Sequence, residues 1–344
     1  MTNNTKGAGA GLSRRGFLQQ GAGFAGAAGL GSFVAASPAI AAGFPDHNIN
    51  IIIPTGEGGG ADRDSRAFVK VWRKHLNVNF KFSYYPGAAG LVGYKFYMNT
   101  TPDCYNLLFA NLGPEVIMLQ LKNSGIEVGR DITYVERTLS EPMAVWVGAN
   151  SKIKSLKELV ALGKQRTVTC SVSRLPHPAS IGMLSIAADT GAKITLVPYG
   201  GGNPSAMAAI TGEVDCCALP LTNAIVLGKQ VRVLGVFDKT NVSPDKTGNA
   251  PTVNDALGLN IPPMKSSRAW GLQTAAVDKY PDRVKVLTDS MQAVLNDPDY
   301  AKAVTAAHVP LKFIDPGDEA QAMAAAKQVE ELAAKYRPLL TGKK

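Results

Sequence analysis

From residue 49 onward, short apolar runs alternate with segments whose hydrophobic residues recur every three or four positions. The short runs have the length and β-branched content of buried strands, and the periodic segments are typical of amphipathic helices. The predicted strands are Ile49–Ile53, Val78–Phe82, Asn106–Ala110, Met143–Gly148, Thr167–Ser171, Ile194–Pro198, Val214–Leu219 and Val231–Phe237. Alternating strands and helices predict an α/β fold of mainly parallel sheets flanked by helices.

Several helices carry recognisable signals. Phe68, Trp72 and Leu76 lie on one face of the helix predicted after the first strand, which places Trp72 in the core. Ser155 and Glu158 form a capping box at the start of another helix. Near the C-terminus, we expect Pro338 to end the last helix.

The first strand runs directly into a glycine-rich loop, Pro54 to Gly60, ahead of a predicted helix. Free N–H groups and the dipole at a helix N-terminus favour a bound anion, so the loop is a candidate anion cradle. Its spacing matches neither G-x-x-x-x-G-K-[ST] nor G-x-G-x-x-G, which argues against a nucleotide phosphate site. The alternative is a tight turn without a ligand. A second polar turn, Tyr199 to Ser205, follows the strand that ends at Pro198.

The first 42 residues are typical of a twin-arginine signal peptide. The pair Arg14-Arg15 precedes an apolar run from Gly21 to Ala36, and Ala39-Ile40-Ala41 supplies a small-x-small cleavage site. We therefore expect export to the periplasm by the twin-arginine pathway. The alternative is a chance arginine pair ahead of a tail.

Charge narrows the class of ligand. The chain has a formal charge of +9, and the predicted leader contains Lys6, Arg14 and Arg15 but no acid, so the mature chain carries 9 − 3 = +6. There is no basic stripe with interleaved aromatic residues, so we expect no nucleic-acid partner. A mild positive charge suits the attraction of small anions.

The cysteines and histidines show no metal-ligand spacing, and no cofactor motif is present. Cys216 and Cys217 are adjacent in a predicted strand and point to opposite faces, so at most one of them can pair with Cys170. The sequence leaves open which one pairs, or whether all are free thiols. We find no catalytic signature and predict a binding protein rather than an enzyme.

Short motifs distributed along the mature chain resemble the solute-binding receptors of tripartite tricarboxylate transporters, the Bug or TctC-like family. In chain order they are Ile51 to Pro54, Gly58 to Asp62 with Arg66, Pro86 to Gly90 with Gly93, Pro102 to Tyr105 with Leu107-Leu108, Asn111, Ser155 to Leu159, Val197 to Tyr199 with Pro204, Gly212 to Asp215, Ala250 to Val253, and Trp270-Gly271. Each motif is weak alone, and the ordered set is specific.

The resemblance implies a two-domain periplasmic-binding-protein (Venus flytrap) fold with two crossover hinge strands. By analogy, domain 1 comprises residues 44–143 plus 267–344 and domain 2 residues 144–266. The expected function is capture of a small carboxylate in the interdomain cleft for integral-membrane transporter subunits, or for a sensor protein, by a monomeric receptor. The alternative function is a periplasmic enzyme, exported by the twin-arginine pathway, that acts on a small acid or ester.

The resemblance also indicates ligand-binding residues in the two turns and their neighbouring loops. The expected residues are Thr55, Gly56, Glu57, Gly58, Gly59, Gly60, Asn111, Gly113, Ser171, Ser173, Arg174, Tyr199, Gly200, Gly201, Asn203, Pro204, Ser205 and Asp215. Gly200 stands where the family often has lysine, and Ser180 stands where it often has histidine.

The roles of four charged residues are left open. Asp62 either caps the helix that follows the glycine loop, which is the interpretation we favour, or contacts the ligand. Glu57 either points outward or contacts a cationic part of the ligand. Arg174 and Arg268 either pair with a carboxylate or face solvent.

Overall fold

The computed structural model describes residues 43–342, and the predicted signal peptide lies outside the described residues. The strands are β1 (Ile49–Ile53), β2 (Phe80–Tyr84), β3 (Asn106–Asn111), β4 (Ile132–Gly148), β5 (Val168–Val172), β6 (Ile194–Pro198), β7 (Cys216–Pro220), β8 (Val231–Val236), β9 (Lys265–Gln273) and β10 (Ile314–Gly317). The longer helices are α1 (Gly60–Leu76), α2 (Leu91–Met98), α3 (Leu112–Leu121), α4 (Leu156–Gln165), α5 (Pro178–Thr190), α6 (Gly202–Thr211), α11 (Pro281–Asn296), α12 (Pro298–Ala306) and α13 (Glu319–Lys335). The shorter helices are α7 (Leu221–Leu227), α8 (Pro244–Thr247), α9 (Val253–Leu257), α10 (Thr274–Lys279) and α14 (Arg337–Thr341). No helix in this part of the chain is long and apolar enough to cross a membrane.

The strands form a mixed sheet in the order β2-β1-β3-β9-β4-β7-β5-β6, with β8 and β10 also paired to β4. Strand β1 is parallel to β2 and β3, and β5 is parallel to β6 and β7. Strands β9 and β4 run antiparallel to their neighbours. The carboxyl ends of β1, β3, β5 and β6 each lead into a turn or helix, which is where α/β proteins bind ligands.

Strand β4 joins two halves of this sheet by exchanging partners along its length. Up to Pro142 it pairs with β9, and from Met143 onward it pairs with β7 and β8. We call β2-β1-β3-β9, β10 and the first part of β4 the first sheet half, and the rest of β4 with β5, β6, β7 and β8 the second sheet half. The exchange falls at Met143, and the domain boundaries expected from the family resemblance stay a prediction.

The core of the first sheet half is an aromatic cluster. The indole of Trp270 lies 5.0 Å from that of Trp72 and 4.6 Å from the Phe109 ring, measured between centroids. Trp72 is fully buried and donates its indole N–H to Ser290 Oγ at 2.7 Å. The assignment of Trp72 to the core is therefore confirmed.

The predicted strands coincide with the structure where apolar residues are continuous. Ile49–Ile53 and Ile194–Pro198 match residue for residue, whereas β4 begins at Ile132 rather than Met143 and β9 was not predicted at all. Both departures have one cause. The unpredicted stretches contain Glu141 and Arg268, which are buried as an ion pair and therefore do not follow the apolar pattern.

Of the predicted helix signals, the Ser155 N-cap of α4 is confirmed, the return bond from Glu158 that would complete a capping box is absent, and the signal near the C-terminus of the chain is wrong. Ser155 caps α4 and accepts from Glu158 N at 3.2 Å, while the Glu158 carboxylate accepts from Lys154 N at 2.7 Å rather than from Ser155. The helix α13 already ends at Lys335, and Pro338 lies in the first turn of α14. Proline is compatible with a first helical turn, so it starts a helix here instead of ending one.

Candidate functional site

A cavity of about 280 Å³ lies between the two sheet halves, at the ends of the strands that carry the two glycine turns. Twelve of the predicted binding residues line it: Thr55, Gly56, Glu57, Gly59, Gly60, Asn111, Ser173, Arg174, Gly200, Gly201, Asn203 and Pro204. It is also lined by residues outside that set: Ala61, Pro86, Pro114, His177, Gly202, Leu219, Pro220, Asn223, Ser266 and Arg268. We refer to this cavity as the cleft.

The first glycine turn is held in shape by Asp62. Its buried carboxylate accepts from Gly58 N at 2.8 Å, from Arg66 Nε at 2.5 Å and from the Tyr84 hydroxyl at 2.7 Å. Gly58 has φ +74°, a conformation that favours glycine. Asp62 thus fixes the loop ahead of the helix, while α1 itself has no side-chain cap at Gly59, so the expectation that Asp62 caps the helix is wrong.

Five helices begin at the cleft. Three of them have an N–H group at their start occupied. Asn111 N, at the start of α3, donates to the Glu115 carboxylate at 3.0 Å, Ala179 N of α5 donates to His177 Nδ1 at 3.1 Å, and Thr222 N of α7 donates to the Glu141 carboxylate at 3.2 Å. The helices α1 and α6 begin after Gly59 and Gly201, and neither N-cap makes a side-chain cap hydrogen bond. The N-termini that belong to the two glycine turns are therefore the ones left to bind an anion.

Arg174 enters the cleft from the loop after β5. Its side chain is only 12% exposed, its Nη1 donates to the Ala89 carbonyl oxygen at 2.8 Å, and it lies 3.9 Å from the Glu115 carboxylate. Burial lowers the pKa of Arg174, and the charge of Glu115 opposes this. Burial likewise raises the pKa of Glu115, against the effect of Arg174 and of the hydrogen bonds from Asn111 and Tyr94.

Arg268, on β9, supplies a second buried cation. Its Nε donates to Asp64 at 3.0 Å and its Nη2 to Glu141 at 3.1 Å, and its side chain is 4% exposed. Both arginines line the cleft, whereas Asp64, Glu141 and Glu115 do not. The cations therefore form part of the cleft wall and their carboxylate partners lie behind them, so the alternative of solvent-facing arginines is wrong at both positions.

His177 does not add to this positive charge. It is 3% exposed, and burial together with the charges of Arg174 and Arg268 lowers its pKa to about 3. It is neutral at physiological pH, with Nδ1 occupied as the N-cap acceptor of α5.

Thr55 offers a hydroxyl at the boundary between the cleft and an adjoining chamber. Its buried Oγ1 has no hydrogen-bond partner within residues 43–342. The chamber, about 250 Å³ in volume, shares five lining residues with the cleft: Thr55, Pro86, Ser173, Arg174 and Gly200. It extends between the apolar side chains of Ala88, Leu175 and Pro198 and has Lys122 in its lining.

Among the residues that the structure describes, Glu57 is the only one that brings a carboxylate to the cleft lining. Its side chain is 69% exposed, and it lies 3.2 Å from Nη2 of Arg66 on the outer side of the turn. Both of the roles left open for it by the sequence remain compatible with this position.

Six of the predicted site residues do not line the cleft. Two of the six, Gly58 and Ser205, hold the turns in shape. The Gly58 carbonyl accepts a hydrogen bond from the Asn203 side chain, and Ser205 Oγ donates to Gly201 O at 2.6 Å. Ser171 Oγ donates to the Ser205 carbonyl at 2.7 Å, and Gly113 N donates to Ser266 Oγ at 3.2 Å.

The other two of the six point away from the cleft. The Tyr199 hydroxyl donates to Glu213 at 2.7 Å, and Asp215 pairs with Arg166 at 2.6 Å and accepts from Thr169 N. Asp215 therefore joins the start of β5 to β7 and does not line the cleft.

The described residues contain no group of three or more His, Cys, Asp or Glu side chains that could hold a metal ion. All four cysteines are buried free thiols, although Cys170 and Cys216 lie opposite each other on neighbouring strands. Burial raises the pKa of Cys170 well above its ordinary value, which keeps the thiol protonated and unreactive.

Arg268, His177, Asn223 and Ser266 are cleft residues that sequence reasoning did not place in the site. The single available signal was an arginine beside the Trp270-Gly271 motif, which marked Arg268 as a residue of open role. Nothing local distinguishes Asn223 or Ser266, because β9 and α7 approach the cleft only through the tertiary fold.

Taken together, the sheet and its cleft define an α/β protein with a cavity of ligand size between two sheet halves. The chain belongs to the tripartite tricarboxylate transporter receptor family, whose family model matches residues 66–335. It is 25% identical over 248 residues to Protein BugT of Bordetella pertussis, covering 69% of this chain and 74% of BugT.

Two solved structures show the same fold. One is Rpa4515 of R. palustris with adipate, with a TM-score of 0.74 and 17% identity, covering 87% of this chain and 98% of that one. The other is MatC of Rhodopseudomonas palustris with bound malate, with a TM-score of 0.70 and 17% identity, covering 86% and 100%. The predicted family and the periplasmic-binding-protein fold are thus confirmed.

Proposed function

We propose that this protein is a periplasmic receptor that captures a small carboxylate in the cleft and delivers it to the membrane subunits of a transporter. The observation that carries the proposal is the convergence of two uncapped helix N-termini and two buried arginines on one cavity of about 280 Å³. That volume is close to the lower end of ligand pockets, about 300 Å³, which suits a small acid.

Different groups of the cleft would bind different parts of the ligand. The backbone N–H groups after Gly59 and Gly201, with the Thr55 hydroxyl, would hold one carboxylate by hydrogen bonds. Arg268 and Arg174 would supply the positive field and further donors, because the hydrogen bonds of Arg268 to Asp64 and Glu141, and of Arg174 to Ala89, occupy only some of the five N–H groups of each guanidinium. The apolar chamber beyond Arg174 would accept the body of a longer acid.

Binding to both turns would favour a closed arrangement of the two predicted domains. A ligand shifts a conformational equilibrium only as far as it binds one state better than the other, and contacts to both sheet halves provide that difference. The hinge strands would be β4, where the partners change at Met143, and the segment leading into β9.

The family and the carboxylates in the two related structures support this ligand class. The predicted signal peptide, residues 1–42, supports a periplasmic location and export by the twin-arginine pathway. We further propose a monomeric protein that binds without a chemical step. Its partners would be transporter subunits or a sensor protein, and not nucleic acid.

The ligand class is tested by thermal unfolding of the mature protein with malate, adipate, citrate and benzoate, and with diethyl malate as the uncharged control. An acid that binds the folded state at 100 times its Kd stabilises it by about 2.7 kcal/mol. We expect stabilisation by at least one acid and none by the ester. Stabilisation by none of the acids, or turnover of an ester substrate, would contradict the proposal.

The role of the first glycine turn is tested by Gly59→Val. Gly59 has φ −79°, which valine can adopt, and an added Cβ would lie 3.3 Å from the Gly56 carbonyl oxygen, beside the N–H groups of α1. We expect a folded protein that no longer binds the acid. Binding at the affinity of the unmodified protein would show that the loop is only a turn.

The export route is tested by fusing residues 1–42 to a reporter that fluoresces in the periplasm only if it was already folded when it was exported. Arg14→Lys together with Arg15→Lys should abolish the periplasmic signal, and Lys6→Gln is the matched control. Export that persists in the double variant would exclude the twin-arginine pathway.

A further inference from the structure

A second, larger groove of about 830 Å³ lies along strand β8 of the second sheet half. It shares no lining residue with the cleft. Its apolar surface comes from side chains such as Leu156, Ile225 and Leu234, on α4, α7 and β8. The carboxylate site does not use this groove.

The groove runs along an open edge of the sheet. In residues 43–342, β8 pairs with β4 on one side. On its other side it makes a single isolated bridge at its C-terminal end, between Val236 and Thr252, where Val236 N donates to the Pro251 carbonyl at 3.0 Å, and no strand pairs with residues 231–235. Val231, Arg232, Val233 and Leu234 all line the groove. Because side chains alternate between faces, four consecutive lining residues indicate that the groove follows the backbone edge. An unpaired edge offers N–H and C=O groups to another extended chain.

The rim of the groove is strongly basic. Five cations and one acid line it: Lys154, Lys157, Lys229, Arg232 and Lys246, with Asp245. The formal charge of this lining is therefore 5 − 1 = +4. Lys246 pairs with Asp245 at 3.6 Å. Lys157 and Lys229 are exposed and have no ion-pair partner within residues 43–342, so their charges are available to a binding partner.

We propose that this groove is a docking surface for an extended acidic segment of a partner protein, which adds a strand to β8 and places its carboxylates against the lysines. Backbone hydrogen bonds to the edge would give affinity, and the apolar floor would take alternate side chains of the segment. The basic rim would select an acidic partner and speed its association. A flat anionic membrane would meet the lysines but leave the concave, apolar floor and the strand edge unfilled.

The test uses the mature protein and a blocked heptapeptide of alternating glutamate and valine. Binding is followed by fluorescence anisotropy, and the contact is located by hydrogen exchange. We expect slower exchange of the amides at residues 231–234. Two matched peptides separate the contributions: one with lysine in place of glutamate, and one with N-methyl groups along one edge, which keeps the charge but blocks backbone pairing. Neither should bind detectably.

The protein variants test the rim directly. Lys229→Glu with Lys246→Glu should weaken peptide binding by about tenfold or more, through charge repulsion. Lys95→Glu with Lys327→Glu reverses two exposed lysines outside the groove and should leave binding unchanged. Carboxylate binding in the cleft should persist in both variants, which shows that they are folded.

Several results would overturn the proposal. They are equal binding of the lysine peptide or of the N-methylated peptide, unchanged binding by the Lys229 and Lys246 variant, and unaltered exchange at residues 231–234. Binding of phosphatidylglycerol vesicles through the same lysines, without peptide binding, would instead identify a membrane surface.

Discussion

The side-chain amide of Asn203 donates a hydrogen bond to the carbonyl oxygen of Gly58 at 3.1 Å, so the two glycine turns are in direct contact across the cleft. These residues lie 145 positions apart in the chain and belong to different sheet halves. The contact joins the N-terminus of α6 to that of α1 and closes one side of the cavity in which we place the ligand.

Removing this contact should favour the open state. Asn203→Ala deletes one hydrogen bond at an exposed position, worth about 1 kcal/mol, so we expect a Kd about fivefold higher. Calorimetry measures the affinity, and small-angle X-ray scattering measures the closure. Asn296→Ala, on α11, removes a comparable exposed amide and is the control. Equal affinities of the two variants would show that the contact does not contribute to closure.

Arg174 should contribute to both binding and stability, and the two effects can be separated. Arg174→Met leaves the Glu115 carboxylate buried without its cation, which costs about 3 kcal/mol. Adding Glu115→Gln removes that charge and should recover most of the stability but not the affinity, which should stay about tenfold or more below that of the unmodified protein. Chemical denaturation and calorimetry give the two quantities. Full recovery of binding in the double variant would remove Arg174 from the site.

The Thr55 hydroxyl should contribute to affinity alone. Thr55→Val keeps the shape of the side chain and removes an unpartnered buried hydroxyl, so the ligand-free protein should be unchanged or slightly more stable, while the affinity falls by about 1 kcal/mol. Ser185→Ala removes another unpartnered buried hydroxyl, far from the cleft lining. A loss of affinity in both variants, or in neither, would contradict the assignment.

His177 should make stability depend on pH in one direction. Its pKa is about 3 in the fold and about 6.5 in the unfolded chain, so between these values the unfolded chain binds more protons and the free energy of unfolding falls as the pH falls. His177→Asn keeps a capping acceptor and removes the titration. Between pH 7.5 and pH 5, the protein with His177 should therefore lose about 2 kcal/mol of unfolding free energy relative to the His177→Asn variant. Denaturation curves at both values provide the test, and a constant difference would exclude the effect.

The local parts of the site were predictable because their signals are local. A run of β-branched residues, a glycine-rich turn and the periodicity of an amphipathic helix follow one another in the sequence. The strands β1 and β6 and both glycine turns could therefore be predicted without a structure. The buried charges were not predictable in this way. Arg268 was left as a residue of open role, Glu115 was not considered, and β9 was missed because its charged and polar residues resemble a loop.

The strand–turn–helix units, and with them the helix N-termini after the two glycine turns, follow from residues that are neighbours in the chain, because hydrogen bonding within a turn is local. The side chains that line the cleft between those N-termini depend on the tertiary structure. Arg268 meets Asp64 and Glu141 across separations of 204 and 127 residues, and Arg174 meets Ala89 across 85. A buried guanidinium is stable only where the fold brings acceptors next to it, and these contacts cannot be predicted from the spacing of residues along the chain.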